Sequence, residues 1–353
     1  MLSRVADSVY WMNRQIERAE NVARSVETAL DLALEGTISQ GRLWNALVCS
    51  FGDQADFRLR HGQADQANVI SFLAFDPANP NSIASCLSAA RENARTVRDM
   101  ISSAMWEEIN KAHLEVQSAA QRYGGWLHPR EFLEEVKRAS QLITGVADAT
   151  MSHGEAWHFG RLGRLVERAD KTSRVLDVET FFLQPATASF APAGGDAAAN
   201  GSAAAAALVA PPRTAAEPPG GDAVRWSAVL ESASALEMYR KQYGAVSRRH
   251  VAEFLIFDRF FPRAMHFCLI KAEESLLAIT GGSKGAYTNP AEQRLGRLRA
   301  TLDYGAIDEV LAGAGGLHGF LDGFQLRLNR TSDAIHETFF ASRPLGHPVE
   351  ATA

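Results

Sequence analysis

Apolar side chains at Val5, Val9, Met12, Ile16, Ala19, Ala23, Val26 and Leu30 recur every three or four positions, the period of one face of an α-helix. Ile83, Leu87, Ala90, Ala94, Val97 and Ile101 repeat the spacing over 82–104. Ser82, after Pro80-Asn81, is placed as an N-cap for that helix. The same reading predicts helices over 39–60, 106–122, 130–151, 155–182, 225–242, 247–256, 264–279, 290–303 and 317–340. Pro77, Pro80, Pro129, Pro262 and Pro290 punctuate the connections. No sustained apolar/polar alternation marks a sheet, so the pattern predicts an all-α fold.

The chain also resembles itself. Residues 14–24, with Arg14, Glu17, Arg18, Ala19, Glu20 and Arg24, are matched by residues 164–174, with Arg164, Glu167, Arg168, Ala169, Asp170 and Arg174. A later series matches Trp44 to Trp226, Phe75-Asp76 to Phe257-Asp258, Pro80 to Pro262 and Cys86-Leu87 to Cys268-Leu269. The offset between copies grows between these two series, and residues 185–224, dominated by Ala, Pro and Gly, account for the growth. Such a composition buries too little apolar surface to offset ordering entropy and reads as a flexible insert. The expected organisation is two pseudo-repeated helical halves packed as one bundle, 1–150 and 151–345, the second interrupted by the insert.

Composition narrows the class. Of 353 residues, 46% are hydrophobic and 22% charged, as in an ordinary globular protein. A net charge of −5, from 36 basic and 41 acidic residues, argues against a nucleic-acid partner held by phosphate neutralisation. Cys49, Cys86 and Cys268 are too few and dispersed for a disulfide framework or a zinc site. No stretch approaches the ~18 uncharged apolar residues of a membrane span, and Met1–Asp7 lacks the apolar run of a signal peptide. The expected setting is cytoplasmic and reducing.

The charges of the first repeat fall in strips. At about 100° per residue, Glu17, Glu20 and Arg24, with Asn13 in line, lie about 60–120° from the centre of the apolar stripe, and Arg14 and Arg18 lie on the far side. Gly163, Glu167, Asp170 and Arg174 reproduce the strip in the second repeat. Arg91, Arg95 and Arg98 form a complementary strip on 82–104. Two readings stay open. The strips interlock as ion pairs that set the bundle's register, or they line a pocket. In the pocket reading Glu17 and Glu167 are candidate general bases. Asn13, Glu20, Arg24, Asp170, Arg174, Arg91, Arg95 and Arg98 would then hold a polar substrate, the guanidinium groups gripping carboxylate or phosphate. Arg263 and His266, placed in a helix's first turn, are an anion-binding end or a solvated cap.

Other constellations read as structural. Glu155-x-x-His158 and Asp333-x-x-His336 have a di-metal spacing but do not occupy matching places in the repeat, so no metal site is assigned. Gly281-Gly-Ser-Lys284-Gly285 follows a helix and lacks phosphate-loop spacing, which suits a helix C-cap. Cys86 and Cys268 sit on apolar faces as inert thiols, and Trp11, Trp44, Trp106 and Trp226 read as core.

The opening Met1-Leu2-Ser3-Arg4-Val5-Ala6-Asp7-Ser8-Val9-Tyr10-Trp11-Met12-Asn13-Arg14-Gln15-Ile16-Glu17-Arg18-Ala19-Glu20 closely resembles the alpha-E family, bacterial helical proteins named for a Glu-Arg motif. The likeness continues through Asp76–Ile83, Ala90–Arg98, Met105–Asn110, Gly163–Asp170 and Phe257-Asp258…Pro262-Arg263. The insert is longer than the family's pattern. The resemblance implies association with a circularly permuted ATP-grasp protein and with transglutaminase-like proteins, and so a role in ATP-dependent amide-bond formation or peptide modification. ATP and Mg would then belong to the partner ligase, with no cofactor on this chain alone. The leading expectation is a helical partner that binds a peptide or amino-acid substrate in a Glu/Arg-lined groove. The alternative is a stand-alone acyl or aminoacyl transferase or amide hydrolase.

Overall fold

The computed structural model describes residues 1–36, 38–122, 129–183 and 221–341. These residues form α-helices and two π-helical turns, with no strand among them. The first half contains α1 (Ser3–Glu35), α2 (Gln40–Phe51), α3 (Gln54–His61), α4 (Gln66–Ile70), a π-helical turn (Ser71–Phe75), α5 (Ile83–Thr96), α6 (Ser103–Arg122) and α7 (Pro129–Thr150). The second contains α8 (Glu155–Leu183), α9 (Gly221–Ser232), α10 (Leu236–Gln242), α11 (Arg248–Phe257) and α12 (Met265–Thr280). It continues with α13 (Pro290–Asp303), α14 (Ile307–Ala312), α15 (Gly316–Ile335) and a second π-helical turn (His336–Phe340). Residues 185–220 of the proposed insert, and the proposed end of the second half at 345, lie outside the described residues. The helix α9 starts at Gly221, within the stretch assigned to the insert.

Several helices differ from the periodicity. The helix expected over 39–60 breaks between α2 and α3, where Gly52 takes φ 82°, a left-handed conformation that ends a helix. The helix expected over 225–242 breaks between α9 and α10 at Ser234, φ 49°. The helix expected over 82–104 stops at Thr96, and α6 restarts after Ser102, whose hydroxyl accepts from the Met105 amide. In each case the apolar stripe runs on across the turn, so periodicity alone does not register the break. At the expected N-cap, the Ser82 hydroxyl accepts from the Ser85 amide. The corresponding segments share local bonding as well. Asp76 accepts from the Ala78 amide and Asp258 from the Phe260 amide, while the Cys86 and Cys268 thiols donate to the Pro80 and Pro262 carbonyls.

At the centre lie α1 and α8. The helices α5, α7 and α9 pack around α1, while α12, α15 and α2 pack against α8. One buried cluster runs from Ala6 to Phe340 and includes Trp44 and Trp226. Trp11 and Trp106 are only partly buried, with Arg14 and Arg98 over their rings at 4.7 and 4.8 Å. Contacts advance in the same direction along α1 and α8. The Met1 amine meets Glu155 at 2.7 Å, Tyr10 meets Gly163, and Arg14 and Arg18 meet Glu167. The two helices therefore run parallel.

Their close approach depends on two glycines. A Cβ at Gly163 would lie 2.4 Å from the Tyr10 carbonyl oxygen, and one at Gly160 would lie 2.6 Å from the Asn13 amide nitrogen. A side chain can rotate away, whereas a helix carbonyl cannot. Alanine in place of glycine inside a helix ordinarily stabilises by about 1 kcal/mol. Here Gly163→Ala is expected to lower stability by about 1–3 kcal/mol through overpacking, and Gly160→Ala by less. Urea denaturation of both variants checks this; a Gly163→Ala variant as stable as the parent would contradict the close packing.

Candidate functional site

The matched Glu-Arg segments meet at the interface of α1 and α8, and they do so reciprocally. Arg168 donates from Nε and Nη2 to the two carboxylate oxygens of Glu17, at 2.9 and 2.7 Å. Arg18 donates from Nε and Nη2 to those of Glu167, at 2.7 and 3.1 Å. Each glutamate is thus held in a two-pronged grip by the arginine of the other segment, the geometry that makes guanidinium–carboxylate pairs strong and directional. Arg14 adds a third bond to Glu167 at 2.8 Å, and Lys171 lies 3.5 Å from it. Arg14 and Arg18, expected on the far side of α1, therefore point into this interface. A helix packed on by α5, α7, α8 and α9 has no single outer face.

The network reaches further helices through Glu20 and Asp170. Glu20 accepts from Arg24, from Arg263 and from the Ser140 hydroxyl of α7 at 2.8 Å. Arg24 also donates to Asn21 and to the Ser232 carbonyl at the end of α9, 2.9 Å away. Arg263, in the loop before α12, donates to Glu17 at 3.1 Å. On α8, Asp170 accepts from Arg174 at 2.9 Å and lies 3.3 Å from Lys171. Glu17, Glu20, Arg24, Glu167 and Asp170 are all buried. The strips expected to line a pocket thus fill the space between the helices with their own side chains.

The surroundings decide the charge states. Burial opposes ionisation of Glu17, but Arg168 and then Arg263 outweigh it and hold its carboxyl well below the usual range. Burial is likewise outweighed at Glu167, by Arg18, Arg14 and Lys171. Burial, then the neighbouring Arg263, brings Arg24 down to about 10. Arg164 also falls to about 10, through burial and then Arg168, and its Nε is buried without a hydrogen-bond partner among the described residues. In the sequence correspondence Arg164 matches Arg14, which bonds Glu167; on Glu17 that place is filled by Arg263. Asn13 donates to the Val9 carbonyl and, with Gly160 and Arg164, borders a cavity of about 20 Å³, room for a single water.

Other candidates lie elsewhere. Arg91, Arg95 and Arg98 do not meet the acidic strips. Arg91 donates to Asn110 and Glu92, Arg95 pairs with Glu92, and Arg98 covers Trp106. The cause is the orientation of α5, which turns Ile83, Cys86, Leu87, Ala90 and Ala94 inward and leaves the arginines toward α6 and solvent. Arg263 and His266 do not form an anion-binding helix end. Arg263 serves Glu17 and Glu20, and buried His266 bonds Asp303 at 2.8 Å and the Phe257 carbonyl at 3.2 Å. Burial pushes the Cys86 and Cys268 thiols up to about 12. Glu155 pairs with the Met1 amine, and no group of three or more His, Cys, Asp or Glu converges among the described residues. Gly281 ends α12 with φ 72°. Arg14, Arg18, Lys171, Asn21 and Ser140 were not among the site residues expected from sequence. The recurrence of the arginine beside each matched glutamate is the signal that points to Arg18.

This is an all-helical protein whose central parallel helices are locked by crossed glutamate–arginine pairs. The chain belongs to the Alpha-E family, described as a predicted alpha-helical domain with a conserved ER motif, which matches residues 1–340. That dipeptide occurs here at Glu17-Arg18 and Glu167-Arg168. Uncharacterized proteins of Mycobacterium bovis and Mycobacterium tuberculosis are each 21% identical over 298 residues, covering 79% of this chain and 30% of theirs. The chain therefore spans less than a third of the length of these relatives. No solved structure matches it. No helix among the described residues is long and apolar enough to cross a membrane.

Removing one partner of a buried pair strands the other, so Glu17→Gln and Glu167→Gln are each expected to destabilise the fold by about 3–5 kcal/mol. The lowered carboxyl values also set a pH dependence. A group whose folded value is depressed contributes stability that is complete above its unfolded value, ordinarily 4.5 here, and lost as pH falls below it. Thermal unfolding from pH 7 to pH 3 should show a steep loss below about pH 4.5 that is shallower in the Gln variants. An equal slope in parent and variants would contradict the charge assignment.

Proposed function

We propose that this chain is a helical partner of an ATP-grasp amide ligase, presenting a peptide or amino-acid substrate while the ligase holds ATP and Mg. The observation that carries this reading is the saturation of Glu17 and Glu167 by guanidinium groups. A general base works best when it titrates near the operating pH. Carboxylates held far below neutrality, each bonded by two arginines, are suited to bracing a scaffold. Thiols pushed up to about 12 supply no nucleophile at neutral pH. These features weigh against the stand-alone transferase or hydrolase and favour a binding role. The mycobacterial relatives support a module that works beside other segments, since the similar region makes up 30% of their length. A circularly permuted ATP-grasp protein remains the proposed partner, with a transglutaminase-like protein as a further one.

Co-expression of this chain with a circularly permuted ATP-grasp protein from the same organism tests the reading. The expected result is a complex that survives size-exclusion chromatography and whose substrate-dependent ADP release exceeds that of the ligase alone. A ligase fully active by itself, with no detectable complex, would contradict it.

A further inference from the structure

The Glu-Arg network fills its own interior, but a cleft of about 290 Å³ opens just beside it, between α1 and α15 with its π-helical turn. Its volume is close to the lower end of the ~300–1,000 Å³ of small-molecule sites, which suits a ligand the size of one amino acid. Tyr10, Trp11 and Arg14 line one side, and Ser332, Asp333, His336 and Phe340 line the other.

The floor is polar and incompletely satisfied. Tyr10 is 2% exposed, and its hydroxyl completes no hydrogen bond of good geometry, although Ser332 and Arg14 lie close to it. A buried hydroxyl without a well-formed bond is unfavourable, and a carboxylate entering from the cleft would supply one beside Ser332 and Arg14. Arg14 lies beside it. Its Nε is spent on Glu167, which fixes the guanidinium plane under the cleft, over the Trp11 ring at 4.7 Å and the Tyr10 ring at 5.6 Å. A guanidinium anchored through Nε offers its remaining N–H groups as a fork for a carboxylate.

The rim carries one opposite charge, Asp333, and a second unusual feature. Asp333 and His336 are exposed at the mouth, and the Phe340 ring closes the apolar wall opposite Trp11. The last turn widens into a π-helix, with the Ala341 amide donating to the His336 carbonyl. Such single turns are rare and recur at functional sites. Here the widened turn brings both His336 and Phe340 to the cleft.

We propose that this cleft binds a free amino acid, its carboxylate on the Tyr10 hydroxyl and Arg14, its ammonium on Asp333, and an apolar side chain between Trp11 and Phe340. The biological meaning rests on the substrate-presenting role above. Binding itself is a property of this chain alone, so its failure and the failure of complex formation with a ligase are separate results.

Calorimetric titration of the intact chain with L-phenylalanine, phenylacetate and phenethylamine tests the assignment. Phenylalanine, which carries both charges, should bind more tightly than either single-charge analogue. Tyr10→Phe should weaken phenylalanine and phenylacetate about tenfold, the loss of one hydrogen bond to a charged group, and leave phenethylamine unchanged. Asp333→Asn, at an exposed position, should weaken phenylalanine and phenethylamine and leave phenylacetate unchanged. Both variants should keep the parent's unfolding temperature. No binding of phenylalanine at millimolar concentration, no advantage over the single-charge analogues, or full binding by folded Tyr10→Phe would each overturn the proposal.

Discussion

Taking a carboxylate and a guanidinium out of water costs several kcal/mol per ion, and the loss is offset only when the two meet in good geometry with their other polar atoms satisfied. In this protein that demand fixes how α1 lies against α8. Glu17 and Glu167 must each face the arginine that follows the other, so the helices run parallel and in register. The paired side chains meet because Gly160 and Gly163 let the backbones approach one turn earlier. The remaining oxygens and N–H groups recruit Ser140 from α7, the Ser232 carbonyl from α9 and Arg263 from the loop before α12. One polar network thereby ties α1 and α8 to α7, α9 and the loop before α12.

The network is richer in cations than in anions. Arg14, Arg18, Arg24, Arg168, Lys171, Arg174 and Arg263 converge on Glu17, Glu20, Glu167 and Asp170. Crowding is visible in Arg24, which burial and Arg263 bring down to about 10. A surplus of largely buried positive charge favours anions that approach from the nearest opening. Arg14 is the member that connects the interior to such an opening, since it holds Glu167 and lines the cleft beside α15. The bracing and the binding roles meet in that one side chain.

Much of this was legible in the sequence, for physical reasons that also explain the failures. The helices are legible because a 3.6-residue period marks each buried face, and α13 spans the expected 290–303. The break at Gly52 was hidden because Leu47, Phe51 and Phe57 keep the stripe apolar across it. The acidic strips were visible as a repeat, but a helical wheel drawn from one stripe assumes a single core direction. The helix α1 is enclosed on several sides, which is why Arg14 and Arg18 face α8 and not solvent, while Arg91, Arg95 and Arg98, complementary in charge to the acidic strips, lie toward α6 and solvent. The cleft was missed for another reason. Tyr10 and Asp333 are far apart in the chain, and nothing in either segment encodes their meeting.

The crossed pairing of the two Glu-Arg segments is tested most directly by a double-mutant cycle on Glu17 and Arg168, with Glu17→Gln, Arg168→Gln and the double variant measured by urea denaturation. Direct pairing predicts a coupling energy of about 1 kcal/mol or more, the double variant losing less than the two single losses together. Losses that add to within about 0.3–0.5 kcal/mol, as for independent sites, would contradict the account.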